Sequence, residues 1–456
     1  MRAVLALDFG STYTKAAAVD VEGEEILGVA ESFTTAATDI GEGLAEALAL
    51  LKKRTGGVEF AERYACSSAA GGLRMIASGL VPSLTAEAAK RAALGAGAKV
   101  IRTYSYELTA GDLDEILRLK PDILLLTGGT DGGNRDCILG NARALSSLPA
   151  RFPVVVAGNR AARDECVRVL TEAGSEAIAC ENVMPSFNKL NIAPAQAVIR
   201  ELFLKRIIAA KGLSKAQALI SGILMPTPAA VLAALELYAE DAGELVAVDL
   251  GGATTDIYSI TEGLPTQAGT VLKGLPEPYA KRTVEGDIGM RFSAHGVVEG
   301  AGMNALTEAS GQAEEQVAAW LREIERAPGI LAETRPQKAI DRALASLAIE
   351  LGLVRHAGEI EQVYTPMGAA FQQTGKDLTR VKQIVLTGGA LVHAEDPLGI
   401  ARRAMAGDHP SSLMPREAVP VLDRRYVLFA TGLIRQKYPQ LARKLLKKEF
   451  QHGNSQ

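Results

Sequence analysis

The sequence predicts an α/β protein of two similar halves, with a smaller α/β unit inserted into the first. Three observations predict it. An apolar strand ending in aspartate and a glycine turn opens the chain and recurs once, strand and helix units alternate through residues 66–181, and long helices resume beyond that stretch. At about 150 residues per domain, 456 residues allow two to four domains and ample core.

The elements follow in order. Ala3 to Asp8 is an apolar strand, Gly10 to Thr14 a tight turn, a second strand runs to Val21, and an alanine- and leucine-rich helix spans about Ile40 to Lys53. From Cys66 to Cys180 the pattern reads helix Thr85–Leu94, strand Lys99–Tyr104, helix Asp112–Leu119, strands Asp122–Thr127 and Pro153–Ala157, and helix Arg160–Ala173. Repeats of this kind make a small parallel sheet complete in itself. A helix around Ala195–Ala210, strand Ala218–Leu224 and helix Pro228–Ala239 return to the larger unit. The uncharged run Ala218–Leu235 reaches the length of a membrane span, but Ser221, Gly222, Pro226 and Pro228 break it, so it reads as strand, turn and helix. The second half begins at Leu245, where Leu245–Asp256 repeats Val4–Lys15 at an offset of 249 − 8 = 241 residues. It continues through strand Asp256–Ile260, a loop at Pro276–Pro278, the turn Thr283–Gly289, a helical stretch from about Ala313 to Ala369, strand Gln383–Thr387, Gly388-Gly389, and a C-terminal helix end and tail.

Composition excludes several classes. Lys+Arg is 49 against Asp+Glu 53, with no basic block to follow a phosphate backbone, so no nucleic acid is expected. Cys66, Cys137, Cys166 and Cys180 are scattered, without a C-x-x-C or a histidine pair, and read as reduced thiols of a cytoplasmic protein. The N-terminus lacks the apolar region of an export signal, and no membrane association is expected.

The two turns carry the chemistry. Glycine lets successive amides approach phosphate oxygens, and Ser or Thr hydroxyls add donors. An aspartate at the strand end repels phosphate unless a cation intervenes. Asp8 and Asp249 facing each other would hold a hydrated Mg²⁺–phosphate complex, with Lys15 neutralising the terminal phosphoryl group. Each turn leads into a strand, which separates it from a Walker A loop or a dinucleotide fingerprint. Ile384–Ala390 fits the same plan, since Gly388-Gly389 leaves room for adenine and ribose. A near copy, Ile123–Gly133, reads more simply as a glycine loop at a strand's carboxyl edge, although such edges attract ligands.

In this order the three elements resemble the phosphate-1, phosphate-2 and adenosine motifs of the actin, Hsp70 and sugar-kinase superfamily. Asp8, Gly10, Ser11, Thr12 and Lys15 match the first, Asp249, Gly251, Gly252, Thr254 and Asp256 the second, and Gly388-Gly389 the third. Glu285–Gly289 looks like the Gly-Asp turn of the Hsp70 branch, and Pro228-Ala-Ala like the first connecting motif. The resemblance implies two actin-like, ribonuclease H-like lobes around a nucleotide cleft: lobe I at 1–65 plus 182–240, the inserted α/β domain at 66–181, lobe II at 241–440 and a tail at 441–456. More narrowly, Asp8–Lys15, Ser67–Arg74, Leu124–Asn134 and Lys281–Arg291 resemble the MutL/GlmL family, unrelated to the mismatch-repair protein of similar name.

That resemblance implies an accessory ATPase, with ATP and Mg²⁺, that reactivates an adenosylcobalamin-dependent mutase or aminomutase of the glutamate mutase or ornithine aminomutase type. A homodimer stays open. By this reading Asp8, Lys15, Thr254 and Asp256 are catalytic, and Asp8 and Asp249 hold the metal. Gly10, Ser11, Thr12, Thr14, Gly251, Gly252, Ala253, Thr255, Glu285, Asp287, Gly388, Gly389 and Ala390 bind the nucleotide. One departure stands out. The Hsp70 pattern has a carboxylate just before the proline of its first connecting motif, whereas Met225 precedes Pro226 here. Hydrolysis then either runs slowly or depends on Asp256, Glu285 or Asp287. A small-molecule kinase of the same superfamily, for a sugar or short acid, and an actin-like filament protein remain as alternatives. The five histidines form no i, i+3 or i, i+4 pair and carry no metal expectation; Asp39 and Glu42 read as a helix start, and Trp320 as core.

Overall fold

The computed structural model describes residues 2–10, 13–34, 40–68, 73–210, 223–366 and 368–452. Two compact units divide the chain: residues 1–20, 30–229 and 274–276, and residues 21–29, 230–273 and 277–456.

The first unit opens with β1 (Ala3–Phe9), β2 (Tyr13–Asp20), the second part of β3 (Glu25–Phe33), inside which a unit boundary falls, α1 (Ile40–Thr55) and β4 (Phe60–Ser67). A second series follows: β5 (Arg74–Gly79), a π-turn at Pro82–Ala86 leading into α2 (Glu87–Gly95), β6 (Lys99–Ser105), α3 (Ala110–Leu119), β7 (Ile123–Leu126), α4 (Asp136–Ser146), β8 (Val154–Val156), α5 (Arg160–Glu172) and β9 (Ala177–Ala179). Then come α6 (Ala193–Ala210), β10 (Ile223–Pro226) and α7 (Thr227–Ala242), inside which the unit boundary falls. Residues 218–222 of the expected strand lie outside the described residues.

One sheet has the order β10-β4-β1-β2-β3. β1 is buried along its whole length, as a strand covered on both faces must be, and reads VLAL accordingly. The other sheet, β6-β5-β7-β8-β9, is parallel throughout. Its core is Ile76, Leu124, Leu126, Val154 and Val156 with Ile138, Ala142, Cys166 and Leu170 of the covering helices.

The second unit contains β11 (Leu245–Leu250), β12 (Thr255–Ile260), β13 (Thr270–Lys273), β14 (Ala280–Glu285), α8 (Ala294–Ala301), α9 (Met303–Ser310), α10 (Glu314–Arg326) and α11 (Arg335–His356). It ends with β15 (Glu359–Thr365), β16 (Gly368–Thr374), β17 (Gln383–Thr387), α12 (Gly389–Val392), α13 (Pro397–Met405), β18 (Val419–Leu422), α14 (Val427–Ile434) and α15 (Pro439–His452). Its main sheet, β14-β12-β11-β17-β18, repeats the first unit's sheet strand for strand. In each, the opening strand runs antiparallel to the next and parallel to the fourth. Trp320 is buried in this unit's helical core, its indole donating to Asp341 Oδ1 at 2.8 Å.

The expected helix from 313 to 369 is interrupted. Helix α10 ends at Arg326 and α11 at His356, and β15 and β16 form a hairpin that joins β13 in a three-stranded sheet. No described helix is long and apolar enough to cross a membrane.

Candidate functional site

The two glycine turns have the same geometry. In the first, Asp8 pairs with Lys15 and Phe9 with Thr14 across β1 and β2, and Gly10 N donates to Tyr13 O at 3.0 Å. In the second, Asp249 pairs with Asp256 and Leu250 with Thr255, and Gly251 N donates to Thr254 O, also at 3.0 Å. The 241-residue offset therefore holds in hydrogen bonding as well as in sequence.

Asp8 is buried. Thr227 Oγ1, at the start of α7, donates to its Oδ1 at 2.5 Å, and Lys15 Nζ stands 3.8 Å from its Oδ2. Cys66, its neighbour on β4, lies 3.6 Å from Oδ1. Burial raises the Asp8 carboxyl above the ordinary carboxylate range, while Lys15 and the Thr227 hydroxyl pull the other way. Sequence reasoning missed Thr227, which lies between Pro226 and Pro228 at the start of α7. Thr14 is buried with its hydroxyl committed to Thr34, so it holds the turn. Ser11 and Thr12 lie outside the described residues.

The second turn shows a directional pattern. Gly251 O accepts from Met290 N, Gly252 O from the amides of Arg291 and Phe292, Ala253 O from Ser293 Oγ, and Thr254 O from Gly251 N. The amides of Gly252, Ala253 and Thr254 donate no hydrogen bond among the described residues. With its carbonyls taken and three successive donors unused, the turn suits an oxyanion. The Met290–Ser293 segment was invisible from sequence because three of its four contacts are made by backbone amides.

Thr255 is buried and donates to Ile288 O at 3.1 Å, a bracing contact. Asp249 and Asp256 face each other across the strand pair, and two like charges there repel. Arg282 resolves the conflict: Nη2 reaches Asp256 Oδ1 at 2.5 Å and Nε at 2.7 Å, with both partners buried. Thr254 Oγ1 lies 3.5 Å from Asp256 Oδ2. Glu285 and Asp287 are held at 2.9 and 3.0 Å by Arg355. Each of the three candidate bases is thus committed to an arginine.

Gly388 completes the group in this unit. Its φ is +96°, and a Cβ there would fall 2.4 Å from Leu250 O and 2.7 Å from Asp249 Oδ1, so only glycine lets β17 turn over Asp249. Gly389 and Ala390 begin α12, half-buried, with Tyr426 Oη 3.9 Å from the position of a Gly389 Cβ. Asp8 belongs to the first unit, and Asp249 and Gly388 to the second. Among the described residues no group of three or more His, Cys, Asp or Glu is arranged to hold a metal ion. Magnesium needs only one or two carboxylates beside water and phosphate, so Asp8 and Asp249 remain chemically suitable.

A family model described as MutL protein matches residues 4–450. The chain belongs to the MutL protein family. It is 46% identical over 458 residues to "Protein MutL" of Clostridium tetanomorphum, covering 98% of this chain and 99% of that one. Among solved structures it is similar to a diol dehydratase-reactivating factor in nucleotide-free form, at 12% identity and TM-score 0.38, over 96% of this chain and 100% of the other. It is also similar to the activator of 2-hydroxyisocaproyl-CoA dehydratase from Clostridium difficile with bound ADPNP, at 10% identity and TM-score 0.33, over 96% and 95%. At such TM-scores these likenesses carry no residue-by-residue correspondence.

Proposed function

We propose that this MutL-family chain is an ATP-binding, slowly ATP-hydrolysing reactivating factor for an adenosylcobalamin-dependent mutase or aminomutase of the glutamate mutase or ornithine aminomutase type. The observation that carries the reading is the twofold turn: an aspartate-tipped strand and a closing glycine bond, repeated in two sheets of identical order. Membership of the MutL family supports a partner of this class.

Within this reading the two turns grip one nucleotide. The amides of Gly252, Ala253 and Thr254 would donate to phosphate oxygens, and Lys15 would neutralise the terminal phosphoryl group. Asp8 and Asp249 would hold a hydrated Mg²⁺ ion, which would supply charge neutralisation for the phosphates. Thr227 orients the Asp8 carboxylate. Asp256, Glu285 and Asp287 are each held by an arginine, which weakens all three as the base for an attacking water, and turnover is slow without the partner. A nucleotide bound by both halves shifts the population of their closed and open arrangements, and the mutase reads that shift.

The test is ATP hydrolysis together with release of inactivated cobalamin from the cognate mutase, for the wild type and Asp249→Ala. ATP-dependent release abolished by the substitution supports the reading. Release that ignores ATP, or survives Asp249→Ala, overturns it, and phosphoryl transfer to a sugar or short acid would replace it with a kinase.

A further inference from the structure

The glycine loop of the parallel sheet in the first unit is left unused by the nucleotide site. Chain order there starts at β5, steps to β6 on one side, then reverses to β7 on the other. β5 and β7 therefore flank the point where the winding changes direction. Loops leaving such a strand pair diverge and open a crevice at the carboxyl ends, the favoured ligand position of an open parallel sheet. Here those loops begin at Leu80 and Thr127.

The second loop's hydrogen bonds run one way. Gly128 O accepts from Asn159 N, Gly129 O from Asn182 Nδ2 at 3.0 Å, and Thr130 O from Gly133 N. Asn159 Nδ2 serves Gly133 O and Asn134 O at 2.9 and 3.0 Å. The amides of Gly128, Gly129 and Thr130 donate no hydrogen bond among the described residues, although Gly128 and Gly129 are buried. Buried amides without a partner are rare in folded chains because each forfeits its hydration, so two in succession, followed by the half-buried Thr130, point to an acceptor. Gly129, at φ +69°, could carry no side chain: a Cβ would lie 2.0 Å from Asn134 O.

A second observation is independent of the loop. Ser78, the penultimate residue of β5, is fully buried and its hydroxyl has no partner. It pairs with Leu126 of β7, and strand alternation puts it on the face of Ile76, Leu124 and Leu126, which packs against Ile138 of α4. The position of a Gly128 Cβ is 3.4 Å from Ile138 Cβ and 3.8 Å from Leu80 N. Ser78 and Gly128 therefore lie on the same face of the sheet, the one that α4 covers. The nearby Asp131 is turned elsewhere, its Oδ1 accepting from Asn182 Nδ2 and Arg160 N.

We infer that this crevice binds the phosphate group of a small phosphorylated molecule through the amides of Gly128, Gly129 and Thr130 and the hydroxyl of Ser78. Neutral backbone and hydroxyl donors at the end of a parallel strand suit an oxyanion. The site is separate from the ATP reading and stands or falls without it.

The full chain, labelled with ¹⁵N-glycine, is titrated with inorganic phosphate and, in a parallel arm, with acetate. Saturable shifts of the Gly128 and Gly129 amides with phosphate, weak with acetate and retained in Asp249→Ala, are expected. Ser78→Ala deletes one hydroxyl from an otherwise apolar wall and weakens phosphate about tenfold. Thr130→Pro deletes one donor; should it fail to fold, Ser78→Ala carries the comparison. Unmoved Gly128 and Gly129 amides, movement confined to Gly251 and Gly252, or unchanged affinity in Ser78→Ala each overturn the inference.

Discussion

Lys376 follows β16 and is fully buried, its ammonium donating to Thr261 O at 2.7 Å and Tyr279 O at 2.8 Å. Burial lowers its pKa to about 7; the charge of Lys281 adds to this, and Glu277, Glu262 and Glu244 oppose it. In the unfolded chain the same lysine titrates near 10.5. The unfolded state therefore binds more protons between those values, and stability must rise with pH across that window. Below about 7 both states are protonated and the whole cost is present. The gap corresponds to about 5 kcal/mol, approached at up to about 1.4 kcal/mol per pH unit. Trp320 is the chain's single tryptophan and sits in the core of the same unit, so its fluorescence reports that unit's unfolding in urea. Lys376→Met replaces the cation by an apolar chain of similar length and takes the lysine donor from Thr261 O, while Tyr279 O keeps the Thr261 amide. Wild type minus variant should show the stability difference growing from pH 7 to pH 10 in favour of wild type. Parallel profiles over that range would refute the argument, because tyrosines and cysteines titrate alike in both proteins.

The remaining predictions concern the two turns. Thr227→Val keeps the shape and removes the 2.5 Å bond to Asp8, so ATP–Mg²⁺ affinity measured by calorimetry should fall about tenfold, with Thr227→Ser restoring it. Asp256→Asn removes the carboxylate charge from a buried pair with Arg282, lowering the stability read by Trp320 by about 3–5 kcal/mol. Arg355→Ala releases Glu285 and Asp287, and should raise the basal ATPase rate while leaving ATP affinity within about twofold, since surface ion pairs contribute little to binding energy.

Much of the frame was readable because local pattern and tertiary fate agree. The VLAL and LVAV runs ending in Asp could only be buried strands, and the repeated Gly turn after each forced the same hairpin twice. Trp320, spaced helically among leucines and an isoleucine, falls in the core as expected. The stretch 359–374 misled because Glu359–Thr365 and Gly368–Thr374 mix polar and apolar residues without a clear period. Their strand state comes from pairing with each other and with β13, about a hundred residues earlier.

At the site, the sequence alone identified where charge and backbone donors would be offered: Asp8, Asp249, the glycines beside them and Gly388. These follow from recurrence, since one such turn alone is only a hairpin, whereas two in matching context point to a shared chemistry. Only the tertiary structure decided which of those groups stay available. Arg282 reaches Asp256 from 26 residues away, Arg355 reaches Glu285 from 70, and Thr227 reaches Asp8 from 219. Partners so far apart leave no periodic trace, because side-chain pairing depends on strand order and register, which only the folded sheet supplies.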